Sequence, residues 1–194
     1  MRKLHVICVA YNRVEPLRTL IDSFICQTNP NWQLYVIYDG KAPKKILDVI
    51  NIYSDYRILF IESDKRNKHY GHPNRAHMLK RLPKCDDFVL MTNDDNYYVP
   101  RFIDLIMEDI DKDTGIVYCS TVHSHFDYDI LDTVIKKNLI DMGSFIVRLD
   151  IAKENGFNSV VFEADGIYAE ECNDLCIKNK LKTIKVNKPL FIHN

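Results

Sequence analysis

Residues 88–96, FVLMTNDDN, end an apolar run in a cluster of side-chain oxygens, the ligands that hard divalent cations such as Mg²⁺ and Mn²⁺ require. Asp94 and Asp95 suit that role, since such ions often take only one or two protein carboxylates and leave the rest to water or phosphate. The same residues also favour turns for conformational reasons alone, so a solvated turn reads identically. Of the seven histidines, His123 and His125 alternate and would share one face of a strand, but two imidazoles without a placed third ligand make a weak zinc case. His69, His72 and His77 fall on a loop and a helix, and the sequence does not decide what they face. Six cysteines are scattered without a CxxC pair. Cys172 and Cys176 lie one helical turn apart, yet no nearby partner ligands mark a metal site, and reduced thiols of a cytoplasmic compartment fit best.

These side chains must be positioned by elements that the hydrophobic pattern makes visible. Residues 4–10, LHVICVA, read as a first strand, and Leu17, Leu20, Ile21, Phe24 and Ile25 then recur with helical spacing. Breakers at Thr28–Asn31 precede the apolar run 34–40, so the opening is β-α-β. The pattern continues with a helix at 44–53, a strand at 57–61, a helix at 74–82 and a strand at 87–91. A helix near 100–110, a strand at 115–122, a strand through GSFIVR, a helix at 167–179 and a strand at 183–187 follow. Strands that read as continuous apolar runs alternating with helices predict a mainly parallel sheet covered on both faces. Ligands in such sheets bind beyond the carboxyl ends of the strands, which directs attention to residues 10–13, 39–40 and 92–96. Residues 123–138 have no clear period and fit either a lid or an irregular packed excursion.

The 194 residues carry 26 Lys+Arg against 27 Asp+Glu, with a formal net charge of -1. The lack of an extended basic field counts against duplex nucleic acid as a main partner and leaves room only for local basic pockets. No run reaches the roughly 18 apolar residues needed to span a bilayer, and the basic start lacks a signal-peptide cleavage pattern. Neither GxGxxG nor GxxxxGK[ST] occurs, which counts against a dinucleotide fold and a P-loop enzyme.

The residues VICVAYNRVEPLRTLIDSFICQTNPNWQLYVIYDG resemble the opening of the family 2 glycosyltransferases of GT-A fold, with Tyr11-Asn12-Arg13, Gln27-Thr28 and Tyr38-Asp39-Gly40 in the family's order. Gly71, Arg75 and Leu79 match a further family segment, and Thr92–Asn96 falls where the family places its D-x-D motif. The resemblance implies a GT-A-like, Rossmann-type three-layer α/β/α sandwich with a mainly parallel central sheet. It further implies one catalytic domain over 1–194, with 1–110 as the nucleotide-sugar half and 111–194 as the acceptor half. The implied reaction moves a sugar from a nucleoside diphosphate donor, UDP-sugar by family frequency, to an acceptor hydroxyl, with Mn²⁺ or Mg²⁺ and with inversion.

By the same resemblance Ala10, Tyr11 and Arg13 line the base pocket, Asp39 contacts the base and Arg75 lies near the diphosphate. Asn93 replaces the first acid of D-x-D at the ribose, Asp94 stands beside it on the donor, and Asp95 takes the metal position. Residues 162–171, FEADGIYAEE, occupy the place of the family's E-D motif, so Asp165 is the expected general base, with Glu163 and Glu170 behind it. These acids also suit the start of a helix for dipole reasons alone. Gly143 and Ser144 are expected on the acceptor side, and His193 stands where some GT-A enzymes place a late metal or diphosphate ligand. The acceptor is a glycan, lipid-linked or protein hydroxyl, with peripheral membrane contact compatible and no obligate protein partner evident. Two rival readings are a sugar nucleotidyltransferase, which the missing Gly-rich loop disfavours, and a nucleotide-binding module without turnover, to which Asn93 lends support.

Overall fold

The computed structural model describes residues 2–194. Its nine strands form one sheet: β1 (Leu4–Ala10), β2 (Trp32–Tyr38), β3 (Ile58–Glu62), β4 (Phe88–Asn93), β5 (Tyr97–Tyr98), β6 (Thr114–His123), β7 (Ile130–Leu131), β8 (Phe145–Arg148) and β9 (Lys182–His193). The order is β3-β2-β1-β4-β8-β6-β9-β5, with β7 paired to β6. Strands β1 to β4 pair in parallel, β8 runs antiparallel to β4 and to β6, and β9 returns parallel to β6. The carboxyl ends of β1, β2, β4, β6 and β9 therefore open on the same edge, as the β-α-β alternation predicts.

Alternation along each strand separates two cores. Leu4, Val6, Cys8 and Ala10 of β1 face α1 (Val14–Ile25), α2 (Lys44–Ile50) and α4 (Phe102–Met107). Ile7 of β1, with Ile37, Val89 and Met91, faces α3 (His72–Arg81), α5 (Leu149–Asn155) and α6 (Ala164–Lys178). Helices thus cover both faces, which confirms the three-layer arrangement. In α1 the apolar stripe Leu17, Leu20, Ile21 and Phe24 is wholly buried, which is the spacing that made the helix legible.

The helix α5 and the two-residue strand β5 are absent from the sequence expectation, two further segments have other bounds than expected, and residues 123–138 take the second of their two expected forms. The last strand runs to His193, well past 187, because two register shifts around Ser120 let β6 keep pairing beyond Pro189. The GSFIVR segment begins as a 3₁₀ turn at Met142–Ser144, and only Phe145–Arg148 is strand. Residues 123–138 form a 3₁₀ turn at Ser124–Phe126 and the two-residue strand β7, packed as an irregular excursion on the end of β6.

Candidate active site

A crevice of about 790 Å³ lies at the carboxyl ends of the strands. One wall is built on the β1 and β2 ends. Tyr11 follows β1, its ring 5.9 Å from that of Tyr38 and the Arg66 guanidinium 3.9 Å from its centre. Asp39 ends β2, and its buried carboxylate is fully engaged: Oδ1 accepts from Asn67 N at 2.7 Å and Asn74 Nδ2 at 2.8 Å, while Oδ2 accepts from Lys68 N at 3.0 Å. These bonds pin a loop in which Lys68, His69 and Tyr70 all have positive φ before Gly71 at +79°. Three non-glycine residues in succession in that region hold strain that only such anchoring sustains.

The floor carries the acids after β4. Asp94 Oδ2 accepts from Tyr11 N at 2.9 Å, and its Oδ1 accepts from Arg13 Nη1 at 3.3 Å. Burial pushes its pKa up to about 6 against the lowering effects of those two donors. Arg13 also bonds Asp95 Oδ2, while Asp95 Oδ1 is buried with no protein partner. Behind this floor lies Arg75, 1% exposed, whose Nη1 donates to Tyr70 O at 2.6 Å and whose Nη2 donates to Thr92 O at 3.1 Å and to Asn93 Oδ1. Its Nη1 also meets His72 Nδ1 at 3.3 Å. Burial lowers the Arg75 pKa, and the nearest charges, Asp94, Asp141 and Asp165, act on it without touching it.

The opposite wall comes from β6, β9 and α6. His123 and His193 end two parallel strands in register, and their rings stack at 4.0 Å and 6°. Asp141 precedes the 3₁₀ turn, and its Oδ1 accepts from Gly143 N at 2.8 Å. Its Oδ2 lies 3.7 Å from His193 Nε2 and 4.0 Å from His123 Nε2. Burial raises the Asp141 pKa, and burial followed by the two neighbouring imidazoles lowers that of His123 to about 4, so its imidazole is neutral at physiological pH. Asp165 stands in the first turn of α6 with Oδ1 accepting from Gly166 N at 2.7 Å. Desolvation first, and the Asp141 charge second, push its pKa up to about 6. Asp165 is the acid of its segment free to work in the crevice. Glu163, which also lines it, pairs with Lys137 at 3.7 Å, and Glu170 accepts from Lys137 N at 2.9 Å.

Ala10, Tyr11, Arg13, Asp39, Asn93, Asp94, Asp95, Asp165 and His193 thus all line one crevice. Three expected residues are placed differently. Arg75 is sealed behind the floor, where it staples the strained 68–71 turn to the end of β4. Gly143 and Ser144 are buried beneath the crevice: Ser144 Oγ donates to Asp141 O at 2.6 Å, and a Cβ on Gly143 would meet Phe191 and Tyr98 at 2.8 Å. They shape the turn that presents Asp141. The sequence reading places the Asp141–Ser144 segment on the acceptor side without giving Asp141 a partner, and it leaves His123 aside. The available signals were an Asp directly before a Met-Gly-Ser turn and a His at a strand's carboxyl end.

A mainly parallel sheet with helices on both faces and a polar crevice at its carboxyl edge, acids following the fourth strand, defines the GT-A glycosyltransferase class. The chain belongs to glycosyl transferase family 2, whose model matches residues 5–158 and so stops short of Asp165 and His193. Among solved structures, S. aureus TarS 1–349 superposes with a TM-score of 0.75 at 15% identity, covering 99% of this chain and 60% of that one. TarS 1–349 in complex with UDP-GlcNAc gives 0.76 at 15% identity, with 98% and 58% covered. The mannosyltransferase PcManGT from Pyrobaculum calidifontis, in complex with GDP-Man and Mn²⁺, gives 0.75 at 14% identity, with 100% and 57% covered. At such identities the likeness is one of fold, and the chain spans no more than about three fifths of these proteins. No curated relative matches in sequence.

Proposed function

We propose that the protein transfers a sugar from a nucleoside diphosphate donor to an acceptor hydroxyl with inversion at the anomeric carbon. The observation that carries this reading is that Asp165, a carboxylate held near neutrality in its affinity for protons, faces across one crevice to the Tyr11, Asp39 and Asp94 wall. A general base works best when its pKa lies near the operating pH, and about 6 leaves Asp165 ionised yet basic at pH 7. In the mechanism the donor base lies against Tyr11 and Arg66, and the tightly anchored 66–71 loop forms the rim over it. Asn93, its Oδ1 fixed by Arg75, presents its amide to the ribose, so the loss of the family's first acid still leaves a hydrogen-bonding group there. Asp165 takes the proton from the acceptor oxygen as it attacks from the far side of the sugar, which is the geometry that inversion requires.

The orphaned Asp95 Oδ1 and the imidazole and carboxylate donors opposite fit a divalent cation, with Asp95 and His193 as its proposed contacts from the sequence. Such an ion, when bound, offsets the charge that grows on the leaving diphosphate. Complexes of the structural neighbours with UDP-GlcNAc and with GDP-Man and Mn²⁺ support this donor class, and UDP-sugar is the first candidate. Among the described residues no helix is long and apolar enough to cross a membrane.

Isothermal titration of UDP, GDP and other nucleoside diphosphates with and without Mn²⁺, followed by donor turnover in native protein and Asp165→Asn, tests the reading. Cation-dependent binding of one nucleotide, kept in Asp165→Asn while turnover drops by about 10²–10⁴-fold, is expected. Failure of every nucleotide to bind at millimolar concentration would sink it. Binding without turnover in native protein would favour a module that has lost catalysis.

A further inference from the structure

We infer that the acceptor is an uncharged amphiphile, a hydroxylated head on an aliphatic tail, whose tail lies on an apolar rim formed by residues 126–139 and 160–162. The inference rests on the transferase reading and deepens it by giving the acceptor a chemical class. Among the described residues, nine of the fifteen large apolar side chains left exposed fall in these two segments or at Tyr70, whose ring meets that of Phe162 edge-on at 5.5 Å. Apolar side chains scattered singly over a surface need no explanation, but a contiguous patch marks a binding site. This patch adjoins the chemistry: Tyr70, Phe126 and Phe162 line the same crevice as Asp165, the carboxylate that must meet the acceptor hydroxyl.

The backbone imposes this exposure. Thr133 is wholly buried and donates its hydroxyl to Cys119 O at 2.7 Å, while Ile130, 61% exposed, and Val134 face outward, the reverse of what burial of apolar surface alone would select. Asp127 and Tyr128 both take positive φ in a turn closed by His123 N donating to Asp129 O at 3.1 Å, and the turn leaves Phe126 and Tyr128 exposed. Residues 136–138 are fastened to α6: Lys137 N donates to Glu170 Oε1 at 2.9 Å, and a Cβ at Gly166 would meet Lys137 Cα at 2.7 Å. The second segment is tied to α3 by His72 Nε2, which donates to Val161 O at 3.1 Å.

Charge and hydrogen-bonding capacity select the occupant. Between residues 123–142 and 162–165, the half of the crevice next to the rim, no Lys or Arg stands among the described lining residues. Arg13, Arg66 and Lys68 line the donor half, and Lys137, outside the lining, is paired with Glu163 at 3.7 Å. A phosphate-bearing or acidic acceptor would meet Asp141, Glu163 and Asp165 there with no permanent cation to receive it. Leu131, Ile140 and Met142 carry the apolar surface inward from the rim. Their side chains offer nothing to the many hydroxyls of a sugar chain, whereas an aliphatic tail gains from each methylene it buries.

Binding of n-alkyl glucosides from methyl to octyl, each below its micelle concentration and with no donor present, tests the rim by saturation-transfer NMR titration. UDP with Mn²⁺ is titrated separately, so a nucleotide that fails to bind counts against the transferase reading and leaves the chain-length result standing. Affinity is expected to rise about twofold or more per added methylene, with octyl glucoside leaving bound UDP in place. Phe162→Ser and Ile130→Ser, both at exposed positions, should each lower the octyl-to-methyl affinity ratio about fivefold or more. Ile52→Ser, exposed on a separate groove beside Ile25 and Tyr56, should leave that ratio within about twofold of native. Equal affinity across chain length, a ratio indifferent to both rim variants, or displacement of UDP by octyl glucoside would each overturn the inference. Tighter binding of cellotetraose than of octyl glucoside, lost in Phe162→Ser, would overturn it in favour of a glycan acceptor. Binding to phosphatidylcholine vesicles without any chain-length effect among the monomers would overturn it in favour of a membrane surface.

Discussion

Replacing Asp165 by asparagine should stabilise the fold at neutral pH while removing the proposed chemistry. In the folded protein the Asp165 carboxyl ionises at about 6 against an ordinary 3.8, a difference worth roughly 3 kcal/mol. The sign follows from proton counting. Between pH 3.8 and 6 the folded state binds more protons at this site than the unfolded chain, so the contribution to stability falls as pH rises and is fully unfavourable above about 6. Asparagine keeps the side-chain oxygen that accepts from Gly166 N and carries no charge to desolvate. Urea unfolding at pH 7.5 should therefore place Asp165→Asn up to about 3 kcal/mol above native, a rise of several degrees in Tm for a chain of this size. The gap should close as pH drops from 6 and vanish below about 4. Only the difference between the two proteins is diagnostic, because His72 and His123, both lowered to about 4, make each of them less stable as pH falls from 6.5. A variant less stable than native at pH 7.5, or a gap that does not change with pH, would refute the placement of an ionised, desolvated Asp165 in this crevice.

Further predictions rest on the donor wall. Gly71→Ala forces a Cβ to within 2.5 Å of Val9 Cγ1 at a φ of +79° and should cost about 1–3 kcal/mol in urea unfolding, with weaker nucleotide binding by titration. Asp39→Ala removes the acceptor for Asn67 N, Lys68 N and Asn74 Nδ2, should cost about 2–4 kcal/mol, and should raise amide hydrogen exchange selectively at residues 66–71. Tyr11→Ala deletes the ring that meets Tyr38 and Arg66 and should weaken nucleoside diphosphate binding about tenfold or more while leaving Mn²⁺ binding unchanged.

What could be read from the sequence follows from the range of the forces involved. β1 and β4 were legible because both faces of each are buried, which writes an unbroken apolar run into the chain, and α1 because its buried stripe repeats every three to four residues. β9 was cut short because Lys182–Lys188 is largely exposed and Pro189 imitates a break. Only pairing with β6, more than sixty residues away, carries it to His193. α5 escaped notice as a seven-residue helix whose buried Leu149, Ile151 and Ala152 have no second turn to repeat in. Tyr11, Asp39 and residues 93–95 were readable since they lie at or just after strand ends, whereas Arg66, on the loop beyond β3, carries no such signal. The meeting of His123, Asp141 and His193 was not, because it depends on the register of β6 with β9 and on a turn that aims Asp141, and nothing local to any of the three encodes either.

The charge distribution on the crevice floor gives the cation a role before any chemistry begins. Asp94 and Asp95 on the floor and Asp141 and Asp165 on the opposite wall all line the crevice, as do Arg13, which spans Asp94 and Asp95, Arg66 and Lys68, while Arg75 is sealed behind. A diphosphate would add negative charge in a place where burial already raises the pKa of Asp94, Asp141 and Asp165. On the proposed function, a donor is expected to settle more tightly when positive charge arrives with it. By linkage, whatever factor Mn²⁺ contributes to nucleotide affinity, the nucleotide must return to Mn²⁺ affinity. Titrating each in the presence of the other should give the same coupling. A nucleotide that binds equally well with and without the ion would show that Arg13, Arg66, Lys68 and Arg75 suffice to balance the crevice.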